Sequence, residues 1–118
     1  MDGKFGFPSK GIHRYVVKEH DDVIAVIDVD FAKRELVSVH NISDIWYKLP
    51  FGLNEKPDFD DFCYYMSTRI VSESYAGLDA LYEKFAPETK DRYHLLLAMR
   101  GRVATDELEI AEEQYAEN

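Results

Sequence analysis

The 118-residue chain has one cysteine, Cys63, so no disulfide can form within it and no cysteine-rich zinc site can be built. A lone thiol without a disulfide framework suits a reducing, cytoplasmic setting. Long apolar runs are missing too. None approaches the roughly 18 residues of a spanning helix, and the opening MDGKFGFPSKG holds no apolar leader core. The glycines at 3 and 6 lack the spacing and the preceding strand of a phosphate-cradling loop. Basic side chains are in deficit, 14 against 23 acids, and the net charge is −9. That balance argues against direct contact with nucleic acid or an anionic membrane, both of which need a cationic face.

What is present is apolar and ring-rich, 46% hydrophobic and 14% aromatic. A chain of this length forms one domain, spanning 1–118, and its core can be built on rings without metal or disulfide staples. Residues 57–71 carry the best pattern. Phe59, Phe62, Cys63, Met66 and Ile70 recur at helical spacing, and Tyr64 and Tyr65 add bulk on or near that stripe. Pro57 suits the first turn, and Asp58, Asp60 and Asp61 place negative charge at the positive end of the helix dipole.

Residues 1–11 read as an irregular lead-in, with Phe5 and Phe7 able to tuck an edge of it onto the domain. Three strand-like runs follow at 13–18, 23–30 and 35–40, β-branched and joined by short polar links suited to hairpins. Beyond Asn41 the strand pattern ends. A short helix is predicted at 42–49, then the helix at 57–71, and further helices at 75–85 and 88–99. A last acidic helix or tail is predicted over 103–118, with Leu108, Ala111 and Tyr115 inward at 106–115 and Glu109 opposing Glu113 one turn on. Strands first and helices after make the class α+β: a three-stranded antiparallel meander with four to five helices packed on one face.

The candidates for chemistry are sparse. Asp28 and Asp30 share a strand face and could bind a divalent ion or share a proton, although the plainer account is two solvated acids at a turn. No lysine on the following strand completes a nuclease-type core. His13 and His40 fall near strand ends and could meet, but none of the usual metal-binding histidine spacings is present among His13, His20, His40 and His94. Cys63 lies on an apolar stripe behind three aspartates, the setting of a structural thiol. No catalytic, metal or cofactor set emerges, so the chain is expected to be a non-enzyme.

Two surface features remain. The segment at 44–52, DIWYKLPFG, gathers Trp46, Tyr47 and Phe51 around a proline-ended turn, and such rings are favoured anchors at protein interfaces. The competing account is that Trp46 and Phe51 plug the gap between sheet and helix. The second feature is charge. Residues 103–118 hold 6 acids and no base, two-thirds of the excess. With Asp58, Asp60 and Asp61, the acids Glu107, Glu109, Glu112 and Glu113 could form a negative docking surface. The expectation is therefore a small acidic module that binds a protein with a basic surface, as an inhibitor of a nucleic-acid-handling protein would (an immunity, antitoxin or anti-defence type). One alternative is a ligand- or metal-binding domain or enzyme, with His13, His40, Asp28 and Asp30 in a pocket between sheet and helices. Another is a structural homodimeric subunit.

Overall fold

A computed structural model describes residues 5–113. Three strands come first: β1 (Ile12–Glu19), β2 (Asp22–Asp30) and β3 (Glu35–Asn41). Each pairs antiparallel with the next. The turn between β1 and β2 places His20 at φ 56°, and the next turn places Arg34 at φ 54°. Asp30 steadies that second turn by accepting the Lys33 N–H at 3.1 Å. Three α-helices follow: α1 (Phe59–Ser67), α2 (Leu78–Phe85) and α3 (Arg92–Ala98).

The chain then departs from the predicted meander with four to five helices. A fourth strand, β4 (Leu108–Glu113), lies antiparallel against β1, and the sheet order is β3-β2-β1-β4. The predicted terminal helix at 106–115 is therefore wrong over the described residues; Tyr115 lies outside them. Leu108 and Ile110 are buried and alternate with Glu109 and Ala111, a period of two that fits a strand with one buried face. Helix would have set Glu109 against Glu113, whereas the open edge of β1 offered unpaired backbone groups. The short helix predicted at 42–49 is only a 3-10 turn, Trp46–Lys48.

The helices are also shorter than their apolar patterns, and side-chain caps fix the start of two of them, α1 and α3. Asp58 caps α1: its carboxylate accepts the Asp61 N–H, and the Asp61 carboxylate accepts the Asp58 N–H, both at 2.9 Å. Asp91 caps α3 by accepting the His94 N–H at 2.8 Å, so the helix starts at Arg92, four residues later than the predicted 88.

The core lies between the inner sheet face and the helices. Tyr15, Val17, Ile27, Val29 and Ile110 meet Phe62 and Met66 of α1 and Tyr93, Leu95 and Leu96 of α3. Rings dominate it: Tyr15 and Phe62 are 5.4 Å apart, and Phe7 packs on Phe5, Phe31, Phe62 and Tyr93. The lead-in is thus drawn onto the domain by its phenylalanines.

One buried cation just past the end of α1 ties that end to the segment leading into the last strand. Arg69, 5% exposed, donates to the Gly101 and Leu108 carbonyls at 2.8 Å and to both oxygens of Asp106 at 2.8 and 3.1 Å. Gly101 sits beneath this knot at φ +60°, and a Cβ there would collide with Ile110. The loop from α3 to β4 must therefore pass close to the sheet, a path open to glycine.

Candidate functional site

Residues 45–54 run as overlapping tight turns. Lys48 N–H donates to Ile45, Leu49 to Trp46, Gly52 to Leu49 and Asn54 to Phe51, with N–O distances of 2.9–3.2 Å. Successive turns of this kind keep the backbone bonded locally and leave its side chains to splay outward. Lys48 fastens the segment to the end of β1 through Glu19 at 2.6 Å, a hydrogen bond that holds the ammonium above its ordinary pKa.

The rings of this segment divide. Phe51 turns inward, half-buried, 5.9 Å from Tyr65 of α1. Trp46 turns outward at 54% exposure, set edge-on to Tyr47 at 5.9 Å, and Tyr47 is 70% exposed. The plug account thus holds for Phe51 and fails for Trp46. Leu53 and Tyr64 are each 73% exposed. The Trp46 ring lies close to Gly52: a Cβ there would sit 4.0 Å from it.

Between that turn and α1 lies a cleft of about 320 Å³, lined by Pro50, Phe51, Asn54, Asp61, Tyr64, Tyr65 and Thr68. Asp61, Tyr64, Tyr65 and Thr68 are spaced i, i+3, i+4, i+7 and form a second stripe beside the core-facing one. That spacing was readable in the sequence, but the stripe mixes acid, tyrosine and threonine and so escapes an apolar search. The Tyr65 hydroxyl is enclosed with no hydrogen-bond partner among the described residues, and burial pushes it up to about 12.

The acids predicted to face a partner have unequal fates. Asp58 and Asp61 serve the α1 cap, while Asp60 is exposed beside them. Glu107 meets His20 at 3.1 Å on the surface. Glu109 is gripped by Arg102 at 2.7 Å and approached by Arg100 at 3.6 Å; the hydrogen bonds from Arg102 hold its carboxyl below the ordinary range. Glu112 accepts from the Tyr93 hydroxyl at 2.6 Å and meets His13 Nδ1 at 3.0 Å. Glu113 is exposed in β4, in register with Arg14. The terminal acids are largely internal ties.

The histidine and aspartate quartet does not assemble. His13 is in register with Val29 on the inner face, whereas His40 pairs with Val26 and Asp28 with Ser38 and Arg14 on the outer face. Asp28 is buried there, taking Arg14 through both oxygens at 2.8 and 3.0 Å and the Ser38 hydroxyl at 3.1 Å. Asp30 caps its hairpin. Among the described residues, no group of three or more His, Cys, Asp or Glu could hold a metal ion. Cys63 is half-buried and packs against the core.

A different set does converge. Tyr93 gives its hydroxyl hydrogen to Glu112, so the Tyr15 hydroxyl, 2.6 Å away, donates to Tyr93. Burial drives both phenols far above the ordinary tyrosine range. This chain runs on through His13, whose Nε2 lies 3.2 Å from the Lys10 carbonyl oxygen, and borders a cleft of about 500 Å³ that His94 and Arg100 also line.

Among the described residues, no helix is long and apolar enough to cross a membrane. Compared with protein-family models, with curated proteins and with solved structures, the chain finds no significant match.

Proposed function

We propose that the protein is a protein-binding module whose docking face is the aromatic platform of Trp46, Tyr47, Leu53 and Tyr64 around the Phe51 turn. One observation carries this: four large apolar side chains, each more than half exposed, stand on one turn-rich segment and the helix packed beside it. Scattered exposed leucines need no account, but several large exposed side chains on one short segment and its neighbouring helix, two of them rings in edge contact, are a costly surface to leave in water without use. Trp and Tyr are also the residue types that most often anchor interfaces.

Charge shapes which partner fits. The net charge of −9 and the exposed Asp60, Glu107 and Glu113 favour a partner with a basic surface. An inhibitor of a nucleic-acid-handling protein, occupying the groove that the nucleic acid would take, has this character. Glu109 and Glu112 are engaged within the fold, so the steering belongs to the remaining acids.

Capture from host lysate tests the platform, with the full chain and a Trp46→Ala, Tyr47→Ala double variant compared at low and high salt. A partner retained by the full chain and lost by the variant supports the proposal. Equal retention by both refutes it. Neutralising Asp60, Glu107 and Glu113 together should slow association at low salt and leave dissociation nearly unchanged. Truncation before residue 106 is unsuitable, because it removes β4 and half of the Arg69 knot.

A further inference from the structure

We propose that the cleft between α1 and the 50–54 turn receives the cationic end of an arginine or lysine side chain from the protein partner. The proposal rests on the platform as the docking face and names what enters it. Phe51 and Tyr65, packed on each other with ring centroids 5.9 Å apart, line the cleft together with the exposed Tyr64. Ring faces carry negative potential and attract a guanidinium or ammonium within about 6 Å of their centroids.

Asp61 supplies the counter-charge. Its hydrogen bonds from the Asp58 N–H and the Asn54 amide both fall on Oδ2, which turns one oxygen to the cap and leaves Oδ1 for an incoming donor. Asp58 and Asp60 stand within the same helical turn and deepen the negative potential at the mouth. The lining contains no basic side chain. Three other clefts formed by the described residues differ: one is lined by Arg34, a second by Arg100, and a third by Lys18 and Arg100. Of these four, the cleft beside α1 is the one whose lining joins rings to an acid without a cation of its own. At about 320 Å³ it lies at the small end of ligand pockets and matches one long side chain better than a metabolite. Arginine suits it better than lysine, because its planar head stacks on a ring while its edge donates to a carboxylate.

The test uses the isotope-labelled full chain and two probes followed by NMR: N-acetyl-arginine methylamide and its neutral citrulline counterpart. The arginine probe should move the signals of Phe51, Asn54, Tyr64, Tyr65 and Thr68 in a saturable way. A dissociation constant on the order of 1 mM is expected for so small a molecule. Citrulline should bind at least about ten-fold more weakly. Asp61→Asn retains an oxygen for the Asp58 N–H and so keeps the cap, yet should weaken the arginine probe about five-fold or more. Tyr64→Ala, at an exposed position, should weaken it about three- to five-fold. Equal shifts from both probes, shifts that map to another cleft, or no effect of either variant would overturn the proposal. If the arginine probe fails while the Trp46→Ala, Tyr47→Ala variant still loses its partner, the cationic occupant is wrong and the platform stands. If the probe binds as described and that double variant keeps its partner, the cleft stands and the platform is wrong.

Discussion

Strand β4 and the start of α1 both carry closely spaced acids, yet one set is turned into the fold and the other faces outward. In β4, Glu109 is held by Arg102 and Glu112 by Tyr93 and His13, while Asp106 just ahead of the strand is held by buried Arg69. At α1, Asp60 is exposed, and Asp58 and Asp61 cap the helix while remaining at the surface, beside rings that are themselves exposed. A count of acids makes the C-terminal region the stronger docking surface. The hydrogen bonds narrow that lead, since a carboxylate already paired within the fold has less to offer a partner: Glu107 and Glu113 stay exposed at the C-terminal end and Asp60 at α1, while Asp58 and Asp61 are engaged in the cap. Charge therefore points to an interface only after the internal pairs are subtracted.

The largest expected effect lies at the knot that holds β4. Arg69→Ala would leave Asp106 and the Gly101 and Leu108 carbonyls without their donor, and it should cost about 3–5 kcal/mol, read as a fall in denaturation midpoint. A loss under about 1 kcal/mol would mean that β4 is held by its sheet pairing alone. The same knot should show in acid. Burial alone would raise the Asp106 carboxyl, but the Arg69 hydrogen bonds and the Leu108 N–H outweigh it and hold it below its ordinary 3.8. Glu109 is likewise held below 4.5, chiefly by the Arg102 hydrogen bonds. Both folded values lie below the unfolded ones. Their stabilisation is complete above the unfolded values and is lost as pH falls through the folded ones. Melting temperature followed from about pH 6 to about pH 2.5 should drop, and Asp106→Asn should start lower and drop less steeply. Parallel curves for the two proteins would remove Asp106 from the acid transition.

Next in size is Glu112. Glu112→Gln keeps an oxygen for the Tyr93 hydroxyl and loses the charge facing His13, so about 1–2 kcal/mol is expected. Tyr64 and Trp46 signals should stay in place in that variant, because the two regions share no hydrogen bond. Movement of those signals would break the separation drawn here between an internal acidic strand and an outward platform.

The central helix and the first three strands were open to the sequence; the fourth strand and the ties of its acids were not, and that has a physical cause. The stripe of Phe59, Phe62 and Met66 located the central helix because it repeats locally at one period. Strands β1 to β3 were legible for the same reason, with hairpin links short enough to force neighbours together. Strand β4 was hidden because Leu108 and Ile110 supply only two apolar positions, and their partner, β1, lies some ninety residues away. Arg69 looked like an ordinary basic residue on an acidic helix; its three partners all come from the 101–108 loop and cannot be inferred from spacing. Trp46 and Phe51 were indistinguishable as candidates, and only the direction of each turn sends one ring inward and the other out.

The smallest expected effect is the most discriminating. Trp46→Ala with Tyr47→Ala removes two large rings, a change that would cost several kcal/mol in a core. Here both rings are more than half exposed and the 3-10 turn that carries them contains no buried residue. Its backbone bonds and the Lys48–Glu19 pair do not depend on either ring. Stability should therefore change by no more than about 0.5 kcal/mol, measured by chemical denaturation with an unchanged slope. Unaltered stability joined to lost partner binding is the signature of residues kept for contact with another molecule. A loss of 2 kcal/mol or more, on the order of a core deletion, would show instead that the rings brace the 50–54 turn, and the platform would have to be assigned to the fold.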